Sequence, residues 1–181
     1  RRAAIVAAML SAISFTAFAA PTTLRASHQF PGGKGDVRDD MVQMIAKEAK
    51  DANVDLTIQV YPGASLFKPN QQWNAMVDGQ LDISLFPLDY ASGKVPTFSA
   101  TLMPGLIRSQ DRAKRVNDSQ FMKDVRAEIE KHGVIVLSDA WFAGGMAAKQ
   151  KCIQKPADLK GMKFRAAGPT FLMDAYRWRA E

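Results

Sequence analysis

Val54-Asp55-Leu56-Thr57-Ile58-Gln59-Val60-Tyr61-Pro62-Gly63 alternates apolar and polar side chains up to Val60 and then meets a turn pair. Period two is the signature of a half-buried strand, and proline followed by glycine stops one. Upstream, Val37, Met41, Met44, Ile45, Ala49 and Ala52 recur at helical spacing behind Asp36, whose carboxylate suits a helix cap. A helix is therefore expected over residues 37–52. Before it, residues 24–27 read as a first strand, ended by Phe30-Pro31-Gly32-Gly33. Downstream come helical residues near 70–77, Gly79, and an apolar run over 81–86 closed by Pro87. A long connection over 88–109 holds Pro96 and Pro104-Gly105. Two helical pieces then divide around Asn117-Asp118-Ser119, the second placing Met122, Val125 and Ile129 on one face and ending at Gly133. Residues 134–137 form a fully apolar strand. Alternation of this kind predicts an α/β fold, a sheet with helices on both sides.

The amino-terminal end reads as an export signal over residues 1–19. Arg1-Arg2 provide the positive start, no charge follows until after Ala20, and Ala17-Phe18-Ala19 fits the small-x-small cleavage pattern. The alternative, a membrane-spanning anchor, is weakened by the abundance of Ala and Ser. Cys152 is the only cysteine, which excludes an intramolecular disulfide and any cysteine-built metal site. The formal charge is +6, falling to about +4 once Arg1 and Arg2 leave with the signal. Arg112, Lys114, Arg115, Lys123, Arg126 and Lys131 are interspersed with Asp111, Asp118, Asp124, Glu128 and Glu130. Mixed signs of this kind make a solvated helix face rather than a basic stripe, which argues against nucleic acid as a partner.

Near the other end, Pro156-Ala157-Asp158-Leu159-Lys160 introduces Gly161-Met162-Lys163-Phe164-Arg165. On a short strand, Met162 and Phe164 point one way, and Lys163 and Arg165 the other. A guanidinium is permanently charged and can fork onto a carboxylate through two parallel hydrogen bonds. Gly168-Pro169 then signals a helix start, whose free N–H groups also favour an anion. Capture of a small organic anion is the chemistry this arrangement points to. Catalysis has little support: Gly-x-Ser-x-Gly, a Walker loop and His-Glu-x-x-His are all missing, and His28 and His132 lie far apart in the chain. No metal or other cofactor is expected.

Tyr61-Pro62-Gly63, then Gly79-x-x-Asp82, then Pro156-x-Asp158-Leu159-Lys160-Gly161-x-Lys163-x-Arg165 occur in this order. The series resembles the extracytoplasmic solute-binding proteins of tripartite ATP-independent periplasmic (TRAP) transporters, the DctP-type subunit, from about Leu24 to Asp174. The resemblance implies a periplasmic-binding-protein fold of type II with two lobes. Residues 20–140 would form the first lobe and 141–181 the opening of an incomplete second. It also implies that Arg165 grips the ligand carboxylate, and that the loaded protein, a periplasmic monomer, docks on the membrane subunits of a TRAP permease. Many members carry a second arginine where this chain has Gly145, which favours a monocarboxylate or a zwitterion. Members continue for roughly as long again, whereas the pattern dissolves after Ala175. The chain thus reads as a fragment or the product of a shifted reading frame.

Other candidates follow from position. Asp89 and Tyr90 follow a strand's carboxyl end, where ligands gather in open α/β sheets. Asp89 could pair a ligand ammonium and Tyr90 could offer ring and hydroxyl; both could equally belong to an ordinary loop. Trp141 and Phe171, like Trp73 and Phe142, could wall a cleft or simply pack in a core. His28 ends the first strand, facing the cleft or serving as a structural histidine. Gly144-Gly145 is a hinge or a tight turn. The leading reading is a solute receptor. The alternatives are an exported α/β enzyme using Asp89 or His28 as acid or base, and a non-functional remnant.

Overall fold

A central strand, β1 (Thr22–Ser27), is flanked in a parallel sheet by β2 (Leu56–Tyr61) on one side and β3 (Ile83–Ser84) on the other. The computed structural model describes residues 22–33, 35–103, 105–149 and 152–170; the expected export signal and Phe171 lie outside them. Leu24 stands opposite Ile58, and Ala26 opposite both Val60 and Ile83. The chain leaves β1 to one side and returns to the other, so a crevice opens where the strands end. There the loops are tied together. The Gly63 N–H donates to the Phe30 carbonyl at 2.8 Å and the Ala64 N–H to that of His28 at 2.8 Å.

α1 (Val37–Asp51) begins as its sequence demands: the Asp36 carboxylate accepts from the Arg38 N–H at 3.0 Å, satisfying an orphan donor of the first turn. Arg38 also grips that carboxylate from its side chain, at 2.8 and 2.6 Å, and lies 4.1 Å from the centre of the Phe30 ring. α2 (Gln72–Val77) is joined to β3 through Gln72, whose buried amide accepts from the Ser84 hydroxyl at 2.6 Å and donates to the Phe67 carbonyl at 3.2 Å. α3 (Gln110–Asn117) and α4 (Gln120–Glu130) are capped by Ser109 and Ser119. The core joins Trp73, Ala91, Val95 and Phe98 to Val125 and Ile129 of α4. The Trp73 and Phe98 rings meet edge to face at 5.1 Å, a geometry their quadrupoles favour. Trp73 is therefore a core residue.

Several expectations change. β2 starts at Leu56 rather than Val54, because Asn53 and Asp55 take positive φ (50° and 52°) and turn the chain. The 81–86 run contributes only Ile83–Ser84 to the sheet. The 88–109 connection is partly ordered into 3₁₀ turns, Leu88–Ala91 and Pro96–Leu102, whose Phe98 is fully buried. Residues 134–137 and 162–165 are extended but join no ladder among the described residues. Val134 and Val136 pack on the core, while Ile135 and Leu137 are 69% and 66% exposed. Alternation sets the side-chain facing; a ladder also needs a neighbouring strand. On the sheet's second face Thr23, Thr57 and Gln59 are exposed, so this part of the expected second helical layer is not present among the described residues. The apolar face, with Leu24, Ala26 and Ile58, shares a cleft of about 730 Å³ with Met41, Val42 and Ile45 of α1.

Candidate functional site

The site begins where β3 ends. Pro87 closes the strand and the 3₁₀ turn Leu88–Ala91 places Asp89 and Tyr90 at the carboxyl end of the sheet. The Ser92 hydroxyl donates to the Asp89 carbonyl at 2.7 Å and holds the turn.

Arg165 arrives from 75 residues further along the chain. The 3₁₀ turn Pro156–Leu159 anchors its approach: Leu159 is 1% exposed, and the Asp158 carboxylate accepts from the Gln154 and Lys155 N–H groups at 3.0 and 3.1 Å. Gly161, at φ +77°, turns the chain out of it. From there Met162 and Phe164 are half-buried while Lys163 and Arg165 are exposed, the sidedness that the alternation predicts. Arg165 Nη2 donates to the Tyr90 hydroxyl, and the guanidinium carbon lies 5.7 Å from the centre of the Tyr90 ring. Among the described residues no carboxylate pairs with Arg165. A guanidinium has five N–H donors, so one tyrosine positions it and leaves most of its hydrogen-bonding capacity open.

Directly beside this pair, Asp89 is 1% exposed, and neither of its carboxylate oxygens has a hydrogen-bond partner among the described residues. Burial pushes its carboxyl above the ordinary range. Gly168 closes over it. A Cβ there would lie 2.2 Å from the Asp89 carbonyl oxygen and 2.3 Å from Oδ2. The chain can pass only because the residue is glycine. Pro169 packs close to Gly93 in the same contact.

Two other predicted residues stand apart from this cluster. His28 is fully buried and both ring nitrogens are engaged: Nε2 donates to Asp39 Oδ1 at 2.9 Å and Nδ1 accepts from the Phe30 N–H at 3.3 Å. Burial alone would raise the Asp39 carboxyl, but hydrogen bonds from Gly33, Gln43 and His28 outweigh it and hold the carboxyl low. His28 thus shapes the loop after β1 and leaves no side-chain surface for a ligand. The Trp141 indole N–H donates to Asn117 Oδ1 at 2.6 Å, tying the ring to the end of α3 on the wall of the large cleft. Phe171 lies outside the described residues. Gly168 and Asp39 were not readable as site residues, since their roles are close contacts made across the fold. Among the described residues no group of three His, Cys, Asp or Glu side chains could hold a metal ion.

A parallel sheet with its carboxyl-end loop facing an arginine is the fold that solved TRAP periplasmic solute-binding proteins share, the type II periplasmic-binding class. The chain belongs to the bacterial extracellular solute-binding protein family 7, the DctP family, which matches residues 33–178. A solute-binding protein from Albidiferax ferrireducens is 40% identical over 153 residues, 82% of this chain and 45% of that one. A TRAP periplasmic solute-binding protein from Rhodoferax ferrireducens, crystallised with bound malonate, superposes with a TM-score of 0.79. It is 37% identical and covers 86% of this chain, which covers 50% of it. A TRAP protein from Sulfurospirillum deleyianum with bound succinate shares the fold at a TM-score of 0.77 and 20% identity, with 88% of this chain and 52% of that one aligned. The chain spans about half the length of the relatives it matches.

Proposed function

We propose that this chain is the carboxylate-gripping part of a periplasmic receptor that captures a small organic acid and delivers it to the membrane subunits of a TRAP-type carrier. Residues 20–140 supply the first lobe and residues 141–181 open the second. The protein acts as a monomer and without chemistry on its ligand. The observation that carries this reading is Arg165, held by Tyr90 at the carboxyl end of the sheet and paired with no carboxylate among the described residues. Malonate and succinate in related proteins agree with an acid as ligand. At the position where many relatives place a second arginine, Gly145 is exposed with open space around it. One cation favours a monocarboxylate or a zwitterion.

The test is Arg165→Ala in the full-length protein, titrated calorimetrically with the best acid from a thermal-shift screen. A charge-assisted hydrogen bond contributes about 1.5–3 kcal/mol, so losing one predicts roughly a tenfold to 150-fold weaker Kd, and losing two a larger drop. Tyr90→Phe, which frees the guanidinium without removing it, should weaken binding by less than about tenfold. Unchanged affinity in Arg165→Ala would refute the assignment.

A further inference from the structure

Asp89 is the buried charged group for which the rest of the described structure supplies no answer. The other acids on the wall of the large cleft have cationic neighbours: Asp82 has Arg25 and Asp139 has Arg126. Asp39, equally buried, takes hydrogen bonds from His28, Gly33 and Gln43. Asp89 lines the same cleft at 1% exposure with both oxygens unpartnered. Buried carboxyls left in that state are rare and costly.

Its surroundings tie it to the anion site. Asp89 precedes Tyr90, whose hydroxyl meets Arg165, and it is sealed by Gly168 of the segment that carries Arg165. Lifting that segment to admit an acid would uncover Asp89 beside the exposed Arg165. Lowering it would bring both onto the bound molecule. On the carboxylate reading Arg165 takes the acid group. A carboxyl group is an acceptor for N–H and O–H donors and a poor neighbour for a second carboxylate.

Building on the carboxylate reading, we propose that Asp89 is a specificity-determining residue that selects acids carrying a hydrogen-bond donor, a hydroxyl or an ammonium, a short distance from the carboxylate. Plain acids leave its carboxyl unsatisfied in the closed form and are disfavoured. Burial, which resists the charged carboxylate, adds a distinction between the two donors. An ammonium favours the ionised carboxylate that burial disfavours, whereas a hydroxyl needs only an acceptor.

The experiment compares propionate, lactate and alanine by calorimetry on the full-length protein. Wild type is expected to bind lactate, alanine or both at least tenfold more tightly than propionate. Asp89→Leu, which removes the unsatisfied carboxyl, should lose that preference and bind propionate more tightly than wild type does. Asp89→Asn, which is isosteric and retains an acceptor, should keep lactate and lose alanine; it also guards against misfolding of the leucine variant. Propionate bound by wild type as tightly as both donors, no binding of any of the three, or a preference that survives in Asp89→Leu would each overturn the inference. Arg165→Ala separates the two ideas. If it abolishes binding while the preference survives in Asp89→Leu, only the role of Asp89 falls; if it leaves all affinities unchanged, the carboxylate reading falls with it.

Discussion

Gly168 shows how one position can govern a site without touching a ligand. A methyl group there would sit 2.2 Å from a backbone oxygen, well inside any contact a real Cβ makes. Gly168→Ala must therefore push the Arg165 segment off the Leu88–Ala91 turn. The expected cost is about 1–3 kcal/mol of stability, as for other overpacked sites, measured by urea denaturation. Gly145→Ala, with nothing within 4 Å of its added carbon, serves as control and should change stability by less than about 0.5 kcal/mol. Equal behaviour of the two variants would refute the close packing. Asp39 governs from the other side of β1. Asp39→Ala strands a buried imidazole N–H and the Gly33 N–H, and each buried donor left unsatisfied costs about 1–3 kcal/mol. A thermal melt within a degree or two of wild type would contradict it.

Among the elements, α1 was the most legible and carries a pH signature. Its spacing, start and length follow from apolar periodicity and from Asp36, and only the last residue differs. The side chain of Arg38 draws the Asp36 carboxyl from its ordinary 3.8 down to about 2. A carboxyl lowered on folding contributes stability that is present above its unfolded pKa and lost as pH falls through the folded one. Amide protection in the first turn of α1 should thus decline as pH drops from about 4 towards 2. Asp36→Ala should lack that protection at neutral pH and show no further decline; an acid profile identical to wild type would overturn the assignment. The strands were less legible. Residues 134–137 have a strand's composition, yet a strand also needs a neighbour with free donors and acceptors, which no single segment reveals. The 3₁₀ turn carrying Asp89 and Tyr90 was hidden for a different reason: short turns have no long-range period to read.

For the molecule as a whole, exposed apolar surface is the dominant unresolved energy. Ile135, Leu137, Phe142 and Met146 are each about half or more exposed, and the apolar sheet face borders a wide cleft. A large exposed apolar patch marks a place where something else docks. The chain spans about half the length of its relatives. Residues 1–181 alone are expected to enhance the fluorescence of an apolar dye such as anilinonaphthalene sulfonate strongly, and a full-length protein much less per mole. Equal enhancement would show that the remaining length does not cover these residues.

Local order and chemical potential were carried by the chain itself: the helix caps, the βαβ pattern, the sidedness of Met162 to Arg165, and a guanidinium suited to an organic acid. Those properties depend on neighbours within a few residues, where dihedral preference and alternation dominate. Folding decided the rest. It set Tyr90 beneath Arg165, buried His28 against Asp39, fixed Trp141 to Asn117, and sealed Asp89 under Gly168. Each of these is a contact between segments distant in sequence, and its energy exists only once packing has removed the water between them.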